Sequence, residues 1–345
     1  MRVSVIVPVR NEAKHIARTL RGLANQEFPT ADYEILVIDG ESEDGTRDIV
    51  LEHLPMIPNL YLFDNPKRLA SAARNVGVQH AHGDYIVIVD GHCQIRDRHY
   101  LTKLVVAFES SRADSLGRPQ PLRADNPTPF QLAVSAARAS WLGHNPASAI
   151  YSSKPGFIDP DNVAVAYRRN VFERVGLFDE SFDACEDVEF NTRVRLAGLT
   201  CYFAPEIAIE YQPRPTLRGL AYQMARYGRG RAKLAVKHLS TVTVPSLAPS
   251  ALLIWMIVGV VLSAMWPPFA VALGASLAIY GLLIILESIR VARATKQVRR
   301  IRLPLVFAAI HVGFGWGYLR EVFVSLPMAP IGMFSRLMRS SRTAS

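Results

Sequence analysis

The chain has 345 residues, half of them hydrophobic and 20% charged, which is ample for one large domain plus an appendage and excludes a disordered or collagen-like chain. Its net charge of +9 is unevenly spread: residues 1–210 hold 22 Lys and Arg against 28 Asp and Glu, a net of −6, whereas residues 211–345 hold 17 against 2, a net of +15. The acidic first part argues against a basic nucleic-acid binder, and the abrupt switch suits a membrane-proximal second part.

Strand-like runs occur at Val3–Val7, Tyr33–Ile38, Asn59–Phe63 and Tyr85–Val89, with helical periods at about 12–26, 44–54 and 69–81 between them. This alternation predicts a parallel sheet covered by helices. In such sheets ligands bind beyond the carboxyl ends of the strands, so the residues directly after each strand are the candidates for function. The first residues, Met1–Pro8, read as a strand without the regions of a signal peptide, which predicts a cytosolic location for 1–210. Cys93, Cys185 and Cys201 are odd in number and lack CxxC spacing, in keeping with reduced thiols.

Three of these strands end in polar segments: Pro8-Val9-Arg10-Asn11-Glu12, Asp39-Gly40-Glu41-Ser42-Glu43-Asp44-Gly45-Thr46, and Asp90-Gly91-His92. Carboxylates, amides and helix N-termini together suit a sugar nucleotide: a carboxylate holds base N–H or ribose hydroxyls, and a cation bridges phosphates. Helix capping accounts equally well for Asn11, Ser42 or Asp44 taken singly, and their recurrence at one edge favours the crevice. Arg68 and Arg74 are placed to reach a diphosphate, with solvated helix-face arginines as the alternative. Between Pro119 and Pro129 lies a surface connection, followed by a helix near 127–142 and a turn at Asp159–Asn162. Glu186-Asp187 precedes a helical period from Val188 to Ala197, which puts both carboxylates at a positive helix end; an ordinary acidic first turn reads the same way.

Beyond residue 210 the solvent changes. Arg214 to Lys237 holds seven cations and no acid, each worth about 1 kcal/mol near an anionic leaflet, so 211–240 reads as a basic amphipathic interface segment between a cytosolic domain, 1–210, and a membrane region, 241–345. Within it Gln223, Arg226 and Tyr227 share one helical face, able to hold an acceptor and a donor diphosphate; a purely electrostatic anchor is the alternative. From Leu239 to Leu286 there are 48 residues without Asp, Glu, Lys or Arg, divided at Pro267-Pro268 into two predicted spans near 247–266 and 269–287. A third stretch, about 304–326, runs into Arg320-Glu321, a pair costly in mid-bilayer, and is left as a span or an interfacial helix. Cations upstream of the first span (Arg226, Arg229, Arg231, Lys233, Lys237) and downstream of the second (Arg290, Arg293, Lys296, Arg299, Arg300, Arg302) put both flanks in the cytoplasm; a third span would put Arg336, Arg339 and Arg342 outside, which the same rule disfavours.

Taken together, Pro8–Glu12, Asp39–Thr46, the Ala73-Arg74-Asn75 helix, the strand ending in Asp90, and Cys185-Glu186-Asp187-Val188-Glu189-Phe190-Asn191 resemble family 2 glycosyltransferases of the GT-A fold, over about residues 1–235. The run YRRNVFERVGLFDE at 167–180 and the apolar C-terminal segments are most similar to the bacterial exopolysaccharide subgroup typified by the succinoglycan glycosyltransferase. The resemblance implies an α/β, Rossmann-like GT-A domain, inverting chemistry, a nucleoside-diphosphate sugar and a divalent cation, Mn²⁺ or Mg²⁺. It implies that Asp39 contacts the nucleoside with Pro8, Arg10 and Glu12 lining the same pocket, and that Ser42, Arg74, Asn75 and Glu186 also bind substrate. Asp187 takes the role of catalytic base. Asp90 matches the first residue of the family's DxD metal motif, but His92 stands where the second Asp belongs. Imidazole suits Mn²⁺ better than Mg²⁺, so either His92 is a ligand with a Mn²⁺ preference or Asp90 binds the cation without it; a zinc site from His92, Cys93 and Cys185 is a further reading. Gln223-Met224-Ala225-Arg226-Tyr227 resembles the QxxRW motif of membrane-bound members, with Tyr for Trp.

The expected activity is hexosyl transfer to a membrane-held, polyprenyl-diphosphate-linked acceptor in extracellular polysaccharide or glycolipid synthesis, by an enzyme of the inner (plasma) membrane with its catalytic domain in the cytoplasm. Alternatives are polyprenyl phosphate itself as acceptor, processive polymer synthesis, for which two or three spans offer too little lining, and a non-catalytic membrane adaptor, kept open by His92. No nucleic-acid partner is expected.

Overall fold

A computed structural model describes residues 2–144, 148–295 and 300–325. The chain divides into two bodies, Met1–Leu220 with Ile279–Phe307, and Ala221–Ala278 with Ala308–Ser345.

In the first body the chain runs β1 (Val3–Val9), α1 (Ile16–Ala24), β2 (Tyr33–Asp39), α2 (Thr46–His53), β3 (Leu60–Asp64), α3 (Ala70–His80), β4 (Tyr85–Ile88), β5 (Cys93–Gln94), α4 (Tyr100–Ser111), β6 (Ser115–Gly117), α5 (Pro129–Arg138), β7 (Gly156–Ile158), β8 (Ala164–Arg168), α6 (Arg169–Val175), α7 (Glu186–Leu196), β9 (Cys201–Phe203) and β10 (Glu210–Tyr211). Alternate residues of β1 and β2 feed two cores. Val3, Val5, Val7, Ile35 and Val37 pack with Ile16, Leu20, Leu23 and Leu104, whereas Ile6, Leu36 and Ile38 pack with Ala73, Val78 and Phe190. Both faces are therefore covered, which explains unbroken apolar strands in place of apolar–polar alternation. Each such side chain contributes about 1.5–3 kcal/mol by leaving water. At Gly77 of α3 a Cβ would come within 2.4 Å of Ile6, so only glycine lets α3 lie this close to β1.

The eight strands of the main sheet follow the order β3-β2-β1-β4-β8-β6-β9-β7. β3, β2, β1 and β4 are parallel, as the sequence alternation predicts, but β8 runs antiparallel to β4 and β6, and β7 antiparallel to β9. The parallel part expected from the first four strands is thus present, and the later strands extend it into a mixed sheet. The strands β6, β7 and β9 have three residues each, too few for a period to register. β5 and β10 form a separate antiparallel pair.

The C-terminal helices are α8 (Leu217–Lys237), α9 (Val244–Met265), α10 (Pro268–Ala294) and α11 (Leu303–Ser325). Among the described residues, α9 and α10 are the two helices long and apolar enough to cross a membrane; they fall on the segments expected at 247–266 and 269–287. Trp255 Nε1 donates to Ser276 Oγ at 2.8 Å, tying the two together. Within the second body α11 lies backbone to backbone on α8: a Cβ on Gly313 would meet the Ala221 carbonyl at 2.8 Å, one on Gly317 the Ala225 carbonyl at 2.0 Å, and one on Gly228 the Phe314 carbonyl at 2.0 Å. Small residues at such seams are the usual device for close helix contact in membrane proteins. In the first body, Glu287 near the end of α10 accepts from Trp141 Nε1 at 2.8 Å and pairs with Arg290 at 2.6 Å. Lys296, Arg299, Arg336, Arg339 and Arg342 lie outside the described residues.

Candidate active site

Strand register decides which loops meet. Val9 of β1 is level with Asp39 of β2, and Ile6 with Ile88 of β4, so Asp39 and Asp90 both emerge at the carboxyl edge with β1 between them. Two inter-strand steps put their backbones about 10 Å apart. Asp39 is almost wholly buried; Ser42 Oγ donates to it at 2.6 Å and Arg47 stands 3.6 Å away. The loops after β1 and β2 are laced together: Asn11 N donates to Ser42 Oγ (2.9 Å), Glu43 N to Asn11 Oδ1 (2.9 Å), Glu12 N to Thr46 Oγ1 (2.7 Å) and Ala13 N to Asp44 Oδ2 (3.0 Å). Asn11 and Glu41 hold left-handed backbones at φ 57° and 53°, a conformation that costs about 1 kcal/mol or more and that these cross-loop bonds over-determine. Pro8 sits in β1, Arg10 is exposed, and Glu12 is half-buried at the same edge.

Opposite this wall, Arg74 of α3 is a buried hub. Its Nη1 lies 2.9 Å from Glu186 Oε1 and its Nη2 3.7 Å from Asp90 Oδ1, with the Phe178 ring beside it at 5.5 Å. Burial opposes its charge, but the fields of Glu186, Asp187 and Asp90 outweigh this and raise its pKa. Glu186 shows the converse: burial, reinforced by Asp187 and Asp90 against the pull of Arg74, raises its pKa to about 7. Asp187, the next residue, is partly exposed at the N-terminus of α7, and the turn into it is made by Cys185 with φ 61°. Behind it Asn191 accepts from Tyr167 Oη at 2.7 Å and donates to the Ala164 carbonyl at 3.0 Å, fixing α7 on β8. Asp39 and Asp90 thus share one sheet edge, and Asp90 and Asp187 share one arginine.

His92 hangs between these walls. Its Nδ1 is 3.0 Å from Glu12 Oε1 and its ring meets Tyr211 edge-on at 5.7 Å. Burial works against the charged ring, yet Glu12 and Asp90 prevail and raise its pKa. Among the described residues no three His, Cys, Asp or Glu side chains are grouped to hold a cation unaided, so the zinc reading with Cys93 and Cys185 fails; both thiols are buried and neither is in a disulfide. The part-exposed carboxylate of Asp90, 3.7 Å from its arginine, still fits the arrangement in which one or two protein oxygens and substrate phosphates share a hard cation.

A model of the family described as glycosyl transferase family 2 matches residues 4–176, half of the chain. The chain belongs to that family. The transferase is 33% identical over 236 residues to the succinoglycan biosynthesis protein ExoA of Rhizobium meliloti, covering 68% of this chain and 70% of that one. It is 24% identical to the dolichyl N-acetyl-alpha-D-glucosaminyl phosphate 3-beta-D-2,3-diacetamido-2,3-dideoxy-beta-D-glucuronosyltransferase of Methanococcus voltae, over 92% of this chain and 96% of that one. Among solved structures, the mannosyltransferase PcManGT of Pyrobaculum calidifontis, in complex with GDP-Man and Mn²⁺, shares the fold with a TM-score of 0.58 at 21% identity, covering 91% of this chain and 87% of that one.

Not every expected binder of the transferase lines the crevice. Asn75 is committed to the fold: its amide donates to the Phe178 carbonyl and Glu180 Oε1, both at 3.0 Å, and accepts from Phe178 N at 2.8 Å. Arg74 is a buried strut between carboxylates, not an open hand for phosphate. Arg68 pairs with Glu41. Gln223, Arg226 and Tyr227 belong to the second body, where Gln223 and Tyr227 are 3.4 Å apart on α8. Arg118, which sequence reasoning passed over, is fully buried beneath the β4 end, donating to the Ile88 carbonyl at 3.3 Å and lying 5.7 Å from the Tyr211 ring centre. Arg118 stands just before the Pro119–Pro129 stretch taken for a surface connection, and no local pattern marks it.

Proposed function

We propose that this glycosyltransferase moves a hexosyl unit, with inversion at C1, from a nucleoside-diphosphate sugar to a lipid-linked acceptor held in the membrane, for extracellular polysaccharide or glycolipid synthesis. The observation that carries the reading is the Arg74 hub, which lies 3.7 Å from Asp90 after β4 and 2.9 Å from Glu186 at the start of α7, the residue before the partly exposed Asp187. Asp187 takes the acceptor hydroxyl proton while that oxygen bonds to C1 and the C1–diphosphate bond breaks; displacement from the opposite face inverts the centre. Glu186 cannot share this work because it is buried against Arg74. Asp39 and its loop hold the nucleoside, with Pro8, Arg10 and Glu12. Asp90 would hold a divalent cation together with the donor diphosphate, with His92 beside it, and the cation when bound supplies charge neutralisation at the leaving group.

A lipid acceptor is supported by α9 and α10 and by the Methanococcus voltae relative, whose name gives a dolichyl-phosphate-linked sugar as its acceptor. That name favours a sugar-bearing lipid over bare polyprenyl phosphate, and among sugar-bearing lipids we infer a polyprenyl-diphosphate-linked one. The catalytic body is assigned to the cytoplasmic face of the inner membrane, in keeping with cations at both ends of the α9–α10 pair. The test is an assay of the full chain in detergent with Mn²⁺ or Mg²⁺, several radiolabelled nucleotide sugars and membrane lipid extract. Label should move into a lipid whose mass rises by one hexose. Label released only as free sugar, or not released with any donor, overturns the proposal.

A further inference from the structure

On the second body, α8 and α11 enclose a cleft of about 280 Å³ lined by Tyr222, Arg226, Arg229, Trp316 and Arg320, floored by Ala225 and Gly317. The glycine seam creates it: Gly317 packed on the Ala225 backbone draws the helices together, so side chains one turn along flank a shared groove. Three guanidiniums converge there from two helices. In the segments 221–278 and 308–325 the sequence carries six cations and one acid, Glu321. Arginine's planar fork matches phosphate oxygens two at a time, which lysine does not.

The rest of the lining is apolar and open. Trp316 is 60% exposed and Tyr222 66%, and the α11 face continues from Trp316 to exposed Val312 on one side and exposed Phe323 on the other. A cleft of this size lies just below the range of small-molecule pockets and suits a headgroup better than a whole lipid. Aromatic rings beside cations mark the depth where an apolar chain meets water.

We infer that this cleft binds the phosphate end of a single-chain, phosphate-bearing lipid, its apolar chain running along the exposed face of α11. Under the function proposed above, on which the identity of the lipid rests, this is the phosphate linkage of the acceptor, with Arg226, Arg229 and Arg320 as its counter-charges.

The test measures binding to the full chain in detergent, without donor and without turnover. The probes are farnesyl diphosphate, sodium diphosphate and vesicles of phosphatidylglycerol. Farnesyl diphosphate should bind, and Arg229→Gln and Arg320→Gln should each weaken it at least tenfold; Arg320→Lys should recover part of the loss; Lys233→Gln, which removes the same charge outside the cleft, should change it less than twofold. Absence of binding, or equal losses in all three Gln variants, overturns the site in favour of diffuse electrostatics. Sodium diphosphate bound as tightly as farnesyl diphosphate overturns the lipid assignment in favour of free phosphate, and equal competition by phosphatidylglycerol overturns it in favour of bulk lipid. Because no sugar moves in this measurement, failure here leaves the transfer reaction standing, and failure of the transfer assay leaves this result standing.

Discussion

Arg74 and Glu186, 112 positions apart in the chain, meet through a 2.9 Å contact in which both side chains are buried. The pair fastens α3 to the first turn of α7 and so decides where Asp187 stands. Buried pairs of this kind add little net stability over an apolar pair, yet breaking one leaves an uncompensated charge.

Arg74→Leu should therefore destabilise the protein by about 3–5 kcal/mol, the usual cost of orphaning a buried partner. Thermal unfolding of the full chain in detergent checks this, and a shift of less than a degree would remove Arg74 as the hub.

Asp187→Asn should lower kcat by about 10²–10⁴-fold, the usual contribution of a general base, with the donor KM nearly unchanged. Steady-state nucleotide release decides it, and retention of more than half the turnover would reassign the base.

Glu186 carries a pKa raised to about 7 by burial and by Asp187 and Asp90, against an ordinary value near 4.5. The folded protein then holds a proton that the unfolded chain has released between about pH 4.5 and 7, so this residue's contribution to stability falls as pH rises through that window. The melting temperature of the wild type minus that of Glu186→Gln should decline from pH 5 to pH 7.5; a flat or rising difference contradicts the assignment.

Under the cation role proposed for Asp90 and His92, turnover should be abolished by chelation and by Asp90→Ala and restored to the wild type by Mn²⁺ more fully than by Mg²⁺. His92→Asp should move the preference toward Mg²⁺, because a second carboxylate suits the harder ion. Metal titrations of nucleotide release compare the two proteins, and an unchanged Mn²⁺/Mg²⁺ ratio excludes His92 from the cation.

Gly→Ala within a helix ordinarily stabilises by up to about 1 kcal/mol. At Gly317 the sign should reverse, since the added methyl would meet the Ala225 carbonyl at 2.0 Å. Melting of Gly317→Ala against the wild type and against Gly274→Ala, where the space is open, reads the difference.

Local pattern alone located β1, β2, β3, β4 and α1, α2, α3, because their apolar periods are long and their ends carry turn and cap residues. It located α9 and α10 for the same reason, a charge-free run of the right length. It also put Asp39, Asp90 and Asp187 on the list, since polar residues just past a strand or at a helix start stand out against apolar neighbours. Tertiary structure alone decided what each touches. Asn75 looks like a ligand in sequence and is spent on the 178–180 segment; Arg118 is marked by no local pattern and is buried under β4; Glu186 and Asp187 are adjacent acids, and only the approach of Arg74 makes one a buried strut while the other stays partly exposed. The glycine seam that brings Arg320 to Arg226 and Arg229 was equally invisible. Periodicity records whether a residue faces apolar or polar surroundings, whereas pairing between distant segments depends on strand order, register and helix approach, which no local period encodes.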